Sequence, residues 1–181
     1  PNQISSVIEE TANSDSSCLL NRATQGMYPP GSTFKILTTL EYIRENPNYK
    51  SYSYECEGDG IFNSVSIHCY NHKVHGTVSL EDSLAYSCNT SFSNIGTKLD
   101  MDALNKLCGD FLYNKELPYD GYYKKSSYTM TSKTDKSLIP QTVIGQGETL
   151  ITPLHNAMIM CAIANGGVLM KPYMMDRIEN C

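Results

Sequence analysis

The sequence predicts an α+β domain that is mainly helical, with a small antiparallel hairpin, and three observations carry that expectation. Apolar residues recur at helical spacing over 32–45, from Ser79 onward and near 153–164. Short pieces rich in Tyr, Val, Ile, Gly and Asp over 51–78 read instead as hairpin strands. At 181 residues, 40% of them hydrophobic, the chain is long enough for one domain, or a large part of one, with a real core.

Each element has a local cause. Residues 1–31 are polar and weakly patterned, and they end in the turn "YPPG". Two prolines and Gly31 cannot sit inside a helix, whereas Phe34, Ile36, Leu37 and Leu40 supply an apolar face, so a boundary falls near Ser32. That helix runs to 45, where Asn46 and Pro47 close it. The stretch "SLEDSLAYSCNTSFSNIGTKL" (79–99) reads as one capped helix, with Ser79 and Asp82 as a box-like start and Leu80, Leu84 and Tyr86 opening its apolar stripe. A further helix is expected over 101–113. Residues 114–140 carry Tyr119, Tyr122, Tyr123 and Tyr128 without a sustained period, and they read as a surface loop rather than an aromatic sugar platform. The last helix ends at "ANGG", where Asn165 and Gly166 are expected to supply a left-handed cap.

Composition excludes several classes of function. A net charge of −5 and scattered lysines and arginines give no basic footprint, so nucleic acid is not expected as a partner. No apolar run reaches the length of a membrane span, and no signal-peptide pattern opens the chain. The seven cysteines are odd in number, irregularly spaced and without a C-x-x-C pair, against both a disulfide lattice and a zinc ribbon. Cys56, Cys69, His68, His72 and His75 have ligand types that suit zinc, but their spacing lacks the usual C-x2-4-C and H-x3-5-H pairs. A Cys56–Cys69 disulfide across the hairpin is the preferred reading for an exported domain, free thiols are the alternative, and no metal is expected.

Chemistry concentrates at the start of the first long helix. A serine hydroxyl is a poor nucleophile until a base takes its proton, and a lysine three residues later shares its helix face. Ser32 and Lys35 have that relation, at a helix start whose positive dipole end and backbone N–H groups would lower the lysine pKa and stabilise an oxyanion. Taken singly, the pair is also explained by a capping serine and a solvated lysine. A second element argues against that reading: Ser87 and Asn89 place a hydroxyl and an amide inside an otherwise apolar helical stretch.

Ser-x-x-Lys followed by Ser-x-Asn belongs to the signature of penicillin-binding proteins and serine β-lactamases. The strings "LLNRATQGMYPPGSTFKI" (19–36), "HGTVSLEDSLAYSCNTSF" (75–92) and "IGQGETLITPLHNAMIMCAIANGG" (144–167) resemble the transpeptidase domain of high-molecular-mass penicillin-binding proteins, most closely class B. The resemblance implies that Ser32 is the acylated nucleophile, Lys35 its proton partner, Ser87 a proton relay to the leaving group and Asn89 a holder of the donor peptide backbone. It also implies attack on D-alanyl-D-alanine stem peptides of peptidoglycan, trapping by β-lactam antibiotics, no cofactor, and a position on the extracytoplasmic face of the bacterial cell membrane. An N-terminal anchor outside these residues and a possible cell-wall synthesis complex are part of the same expectation.

Departures from the pattern are equally specific. Lys133-Thr134-Asp135 is the nearest string to K-T-G, but it has Asp for Gly and precedes the "IGQG" element that the third motif should follow. Residues 1–181 therefore read as a partial transpeptidase domain, mainly its helical subdomain with fragments of the five-stranded sheet. Alone they are expected to acylate slowly or not at all, since one missing oxyanion donor costs roughly two to three orders of magnitude. Cys88 stands at the middle of Ser-x-Asn, where packing is expected, and His155, where a Gln is common, reads as structural. His75-Gly76 fits the family's own "HG". Rival readings are a β-lactamase or D,D-carboxypeptidase sharing both motifs, and a non-catalytic β-lactam sensor or cell-wall binding module.

Overall fold

The computed structural model describes residues 19–173. In chain order its first elements are α1 (Arg22–Gln25), α2 (Lys35–Glu45), β1 (Tyr54–Cys56), β2 (Asp59–Phe62), β3 (Val65–His68) and β4 (Gly76–Val78). They are followed by α3 (Leu80–Ala85), α4 (Asn89–Gly96), α5 (Met101–Asp110), α6 (Ile139–Thr142) and α7 (Pro153–Ala164). The described residues fall into two compact units, one of residues 28–117 and 125–151, the other drawn from 19–27, 118–124 and 152–173.

In the larger unit α2 is the central element. Phe34, Leu37, Thr38, Glu41 and Tyr42 are buried at i, i+3, i+4, i+7 and i+8, the stripe of a helix with one face in a core. That face packs against α5, whose Leu104 and Cys108 are fully buried, and against α4. Asp100 accepts from the N–H groups of Asp102 and Ala103 to start α5, while Glu45 at the end of α2 accepts from the Asp100 N–H. Glu41, buried in this core, pairs with Arg44 at 3.1 Å.

The expected hairpin over 51–78 is two nested ones. β1 pairs with β4 antiparallel, Tyr54 opposite Val78 and Cys56 opposite Gly76. Inside it β2 pairs with β3, and Asn63 and Ser64 turn the chain with φ of 47° and 67°. Two successive positive φ values make the primed two-residue turn whose twist matches the strands it joins.

Three sequence expectations need correction here. The helix from Ser79 is two helices: the capping box forms as expected, with Ser79 Oγ accepting from the Asp82 N–H at 3.0 Å, but α3 stops at Ala85 and α4 begins at Asn89. The helix at 101 ends at Asp110. A 3-10 turn over Lys136–Leu138 leads into α6. Residues 114–117 and 125–135 are irregular, yet not a surface loop throughout: Tyr128 is buried, stacked on Phe34 at 5.6 Å and edge-on to Tyr113. Asn114 holds the Tyr128 backbone from both sides, accepting from its N–H and donating to its carbonyl. This side chain satisfies the backbone of a buried strand-like segment that lacks a full sheet partner.

In the smaller unit α1 packs against α7. Thr152 Oγ1 accepts from the His155 N–H and Pro153 opens the first turn of α7. His155 is fully buried with Met158, Ile159 and Ala162, as a structural residue should be. At the far end Gly166 is left-handed as expected, with φ 65°, but Asn165 has φ −98° and Gly167 supplies the second positive value. Among the described residues no helix is long and apolar enough to cross a membrane.

Candidate active site

Ser32 lies in a 3-10 turn, Gly31–Phe34, that runs directly into α2. In a 3-10 turn side chains three apart eclipse one another, so Lys35 stands over Ser32 more closely than an α-turn would bring it. The turn is held from behind. The Gly31 N–H donates to the Gly145 carbonyl at 2.8 Å, and a Cβ on Gly145 would lie 1.9 Å from the Gly31 carbonyl oxygen. Gly145 also has φ +78°, a left-handed conformation that glycine adopts freely. The "IGQG" string thus contributes a backbone brace that its sequence did not disclose.

Ser87 sits in the break between α3 and α4 with φ +52°. For a residue with a Cβ that conformation costs on the order of 1–3 kcal/mol and persists where surrounding contacts over-determine it. Here they do: the Ser87 N–H donates to Leu84 O, the Cys88 N–H donates to Ser83 O, and Ser83 Oγ is bonded to Ser91 Oγ at 2.6 Å. The result turns both the hydroxyl and the carbonyl of Ser87 toward Lys35.

Lys35 Nζ is the hub, and the residue is 1% exposed. It donates to Ser87 O at 2.7 Å, Ser87 Oγ at 2.8 Å and Asn89 Oδ1 at 2.6 Å, and lies 3.4 Å from Ser32 Oγ. Ser87 Oγ is 2.8 Å from Ser32 Oγ. Asn89, the first residue of α4, donates its amide to the His68 carbonyl at 2.9 Å, tying the helix start to the end of β3. The other three residues singled out in the sequence thus lie within 3.4 Å of the Lys35 ammonium.

Burial lowers the Lys35 pKa from 10.5 to about 8, partly opposed by the nearby Cys88 and Cys69 thiols, which favour the charged form. The direction is the one the helix start suggested, but desolvation is the main cause. At pH 7 roughly a tenth of the lysine is then neutral, against less than a thousandth for a free one. Ser32, Ser87 and Asn89 open onto a cleft of about 790 Å³ that is also lined by His68, His72 and Gln146. In the sequence His68 and His72 had stood out only as metal-ligand types, and Gln146 had no signal beyond its polarity.

Behind Asn89 the thiols differ from the sequence expectation. Cys56 and Cys69 are free, their sulfurs 3.8 Å apart, so the expected disulfide is not formed. Cys88, expected only to pack, is buried against them with 3.7 Å between its sulfur and that of Cys69. His75 Nδ1 lies 3.3 Å from Cys56 Sγ. His68 and His72 face away, His72 pairing with Asp59 at 2.7 Å, because alternation along β3 turns Ile67 and Cys69 inward and His68 outward.

A serine-lysine pair on a turn that enters a central helix is thus faced by Ser-x-Asn at a helix break. The family model of the penicillin binding protein transpeptidase domain matches residues 3–180, and the chain belongs to that family. Among curated relatives, peptidoglycan D,D-transpeptidase PbpA of Mycobacterium tuberculosis (strain H37Rv) is 32% identical over 165 residues, which are 89% of this chain and 33% of that protein. PbpA of Mycolicibacterium smegmatis is 30% identical over 175 residues, 94% of this chain and 35% of the relative. The chain thus spans about a third of the length of the curated relatives it matches. Penicillin-binding protein A from M. tuberculosis, solved as its imipenem acyl-enzyme complex, superposes with a TM-score of 0.84 at 29% identity over 96% of this chain and 40% of that one. The D,D-transpeptidase domain of a peptidoglycan glycosyltransferase from Eggerthella lenta gives 0.78 at 28% identity, covering 93% of this chain and 44% of that one.

Proposed function

We propose that residues 1–181 are part of the transpeptidase domain of a peptidoglycan D,D-transpeptidase, with Ser32 as nucleophile, Lys35 as base, Ser87 as proton relay and Asn89 as substrate-positioning amide. The observation that carries this reading is the triangle of Ser32 Oγ, Ser87 Oγ and Lys35 Nζ. The 3.4 Å from Ser32 to Lys35 is beyond good hydrogen-bond reach, whereas the two legs through Ser87 are each 2.8 Å. With Lys35 charged, donation runs from lysine to Ser87 to Ser32. Loss of that proton lets both hydroxyls rotate, so that Ser32 donates to Ser87 and Ser87 to the neutral amine.

In the forward step the Ser32 Oγ–C bond forms at the carbonyl of the penultimate D-alanine while its proton passes through Ser87 to Lys35. The C–N bond to the terminal D-alanine then breaks, and the lysine proton returns through Ser87 to the departing amine. An amine of a second stem peptide attacks the ester, its proton is taken by the same relay, and Ser32 is regenerated. A β-lactam follows the first half only, because its ring nitrogen stays tethered after the C–N bond opens. Peptidoglycan lies outside the cytoplasmic membrane, so this reading places the site on the extracytoplasmic face.

The test is covalent labelling of the intact protein. A fluorescent penicillin is expected to label Ser32, identified by peptide mass spectrometry, and Ser32→Ala to abolish the label. A long-lived ester together with transfer of a model D-Ala-D-Ala acyl group to an added D-amino acid supports a transpeptidase. Rapid hydrolysis of the ester, or a stable ester without any transfer, overturns it in favour of a β-lactamase or a sensor respectively.

A further inference from the structure

We propose that Cys56, Cys69, Cys88 and His75 form a structural zinc site that fixes the Ser87–Asn89 segment from behind. Their four donor atoms all lie within 4.8 Å of one another. Zinc holds thiolate sulfurs at about 2.3 Å and imidazole nitrogens at about 2.0–2.1 Å, so a tetrahedral site has sulfur–sulfur edges of about 3.8 Å and sulfur–nitrogen edges of about 3.5 Å. The observed sulfur separations are 3.8 Å for Cys56–Cys69 and 3.7 Å for Cys69–Cys88, and Cys56 Sγ to His75 Nδ1 is 3.3 Å. These match three of the six edges of one coordination tetrahedron, and the remaining three separations are no longer than 4.8 Å.

A disulfide accounts for two of these cysteines only and leaves the third thiol and the imidazole with no common purpose. Plain apolar packing accounts for buried thiols but not for a histidine nitrogen aimed at them. Three thiolates and one imidazole are a soft, nitrogen-tolerant set that selects zinc over calcium or magnesium. The surroundings resemble an outer shell: Thr90 Oγ1 lies 3.2 Å from Cys56 Sγ and 3.4 Å from Cys88 Sγ, where it donates to one thiolate at a time. The His75 ring stacks on Tyr86 at 5.7 Å, which fixes its orientation. Zinc entry displaces the three thiol protons to solvent, and the coordinated site carries a net charge of −1.

The ligands come from four separate places: the end of β1, the residue after β3, the residue before β4, and the residue before α4. A metal there cross-links the nested hairpins to the helix that follows them. Cys88 stands between Ser87 and Asn89, so its fixation also fixes the hydroxyl and amide that face Lys35; this consequence, unlike the site itself, rests on the proposed transpeptidase reading. The ligand spacing C-x12-C-x5-H-x12-C explains why the sequence discounted a metal. Two of the intervals are too long for a single-loop zinc motif, and the fourth ligand lies in what reads as a different element.

The experiment is metal analysis of the intact protein purified under reducing conditions. About one zinc per chain, retained on dialysis, is expected in the wild type and in Cys161→Ser, an exposed cysteine outside the cluster, and lost in Cys69→Ser. Exchange for Co²⁺ in the wild type, which does not depend on any variant folding, is expected to give the visible absorption of a tetrahedral cobalt-thiolate site and a thermal midpoint that falls on chelation. A wild type without stoichiometric metal and without a cobalt-thiolate band, or one in which Cys56 and Cys69 are found as a native disulfide, overturns the proposal. Zinc content is read independently of acylation, so a zinc-bearing protein that penicillin fails to label refutes the transpeptidase reading and leaves the metal site standing.

Discussion

Lys35 touches Ser87 twice: its ammonium donates to the Ser87 hydroxyl at 2.8 Å and to the Ser87 carbonyl at 2.7 Å. The second bond is possible because Ser87 is left-handed, and it anchors the lysine independently of the first. Ser87→Ala is therefore expected to leave Lys35 in place while removing the proposed relay. Acylation by a fluorescent penicillin should slow by roughly 10²–10⁴-fold, the range for a lost general acid-base step. A labelling rate within a few-fold of wild type would show that the proton moves directly across the longer Ser32–Lys35 gap.

The lowered pKa of Lys35, about 8, predicts the pH dependence of the same rate. The neutral amine is the competent base, so acylation should rise about tenfold per unit up to pH 7 and level off above pH 8. The stability contribution has a determinate sign as well. Lys35 binds its proton less tightly when folded, so between about pH 8 and 10.5 the unfolded chain holds more protons and stability rises with pH. Urea unfolding of wild type at several pH values, compared with Lys35→Met, isolates this slope; an opposite slope would mean that the buried lysine stays charged.

The glycine brace gives an ordered pair of variants. Gly31→Ala meets nothing within 4 Å and suffers only from φ +57°, an expected loss of about 1–2 kcal/mol. Gly145→Ala adds a collision of 1.9 Å with the Gly31 carbonyl, so the turn carrying Ser32 must move. Its loss should be larger, and its labelling rate should fall more than its thermal midpoint alone explains. Equal effects of the two variants on labelling would refute the brace.

The capping box at the start of α3 is a control of another kind. Ser79→Ala removes the acceptor for the Asp82 N–H and should cost about 1 kcal/mol, or roughly 2–4 °C in a domain of this size. Thermal unfolding measures it, and the labelling rate of the folded protein should change little.

How much of this was legible beforehand follows from the range of each interaction. The Ser32–Lys35 relation spans three residues and the Ser79–Asp82 box also three, so each is written in one stretch of chain. The strands at 54–78 and the stripe of α2 are likewise local patterns. The break at Ser87 was not legible, because its left-handed backbone is held by Ser83, Ser91 and Lys35 against its own preference. Tyr128 read as a loop residue for the same reason, since its burial depends on Phe34 and Tyr113.

The sequence by itself determined the helical face, a hairpin over 51–78 and the presence of a hydroxyl and an amine on one turn. Tertiary structure decided that Gly145 meets Gly31 across more than a hundred residues, that Ser87 and Asn89 close on Lys35, and that three thiols and an imidazole share one centre. The reason is physical: spacing along the chain sets which side chains share a turn or a strand face, whereas bringing distant segments together requires the whole core to offset the entropy of closing the loops between them.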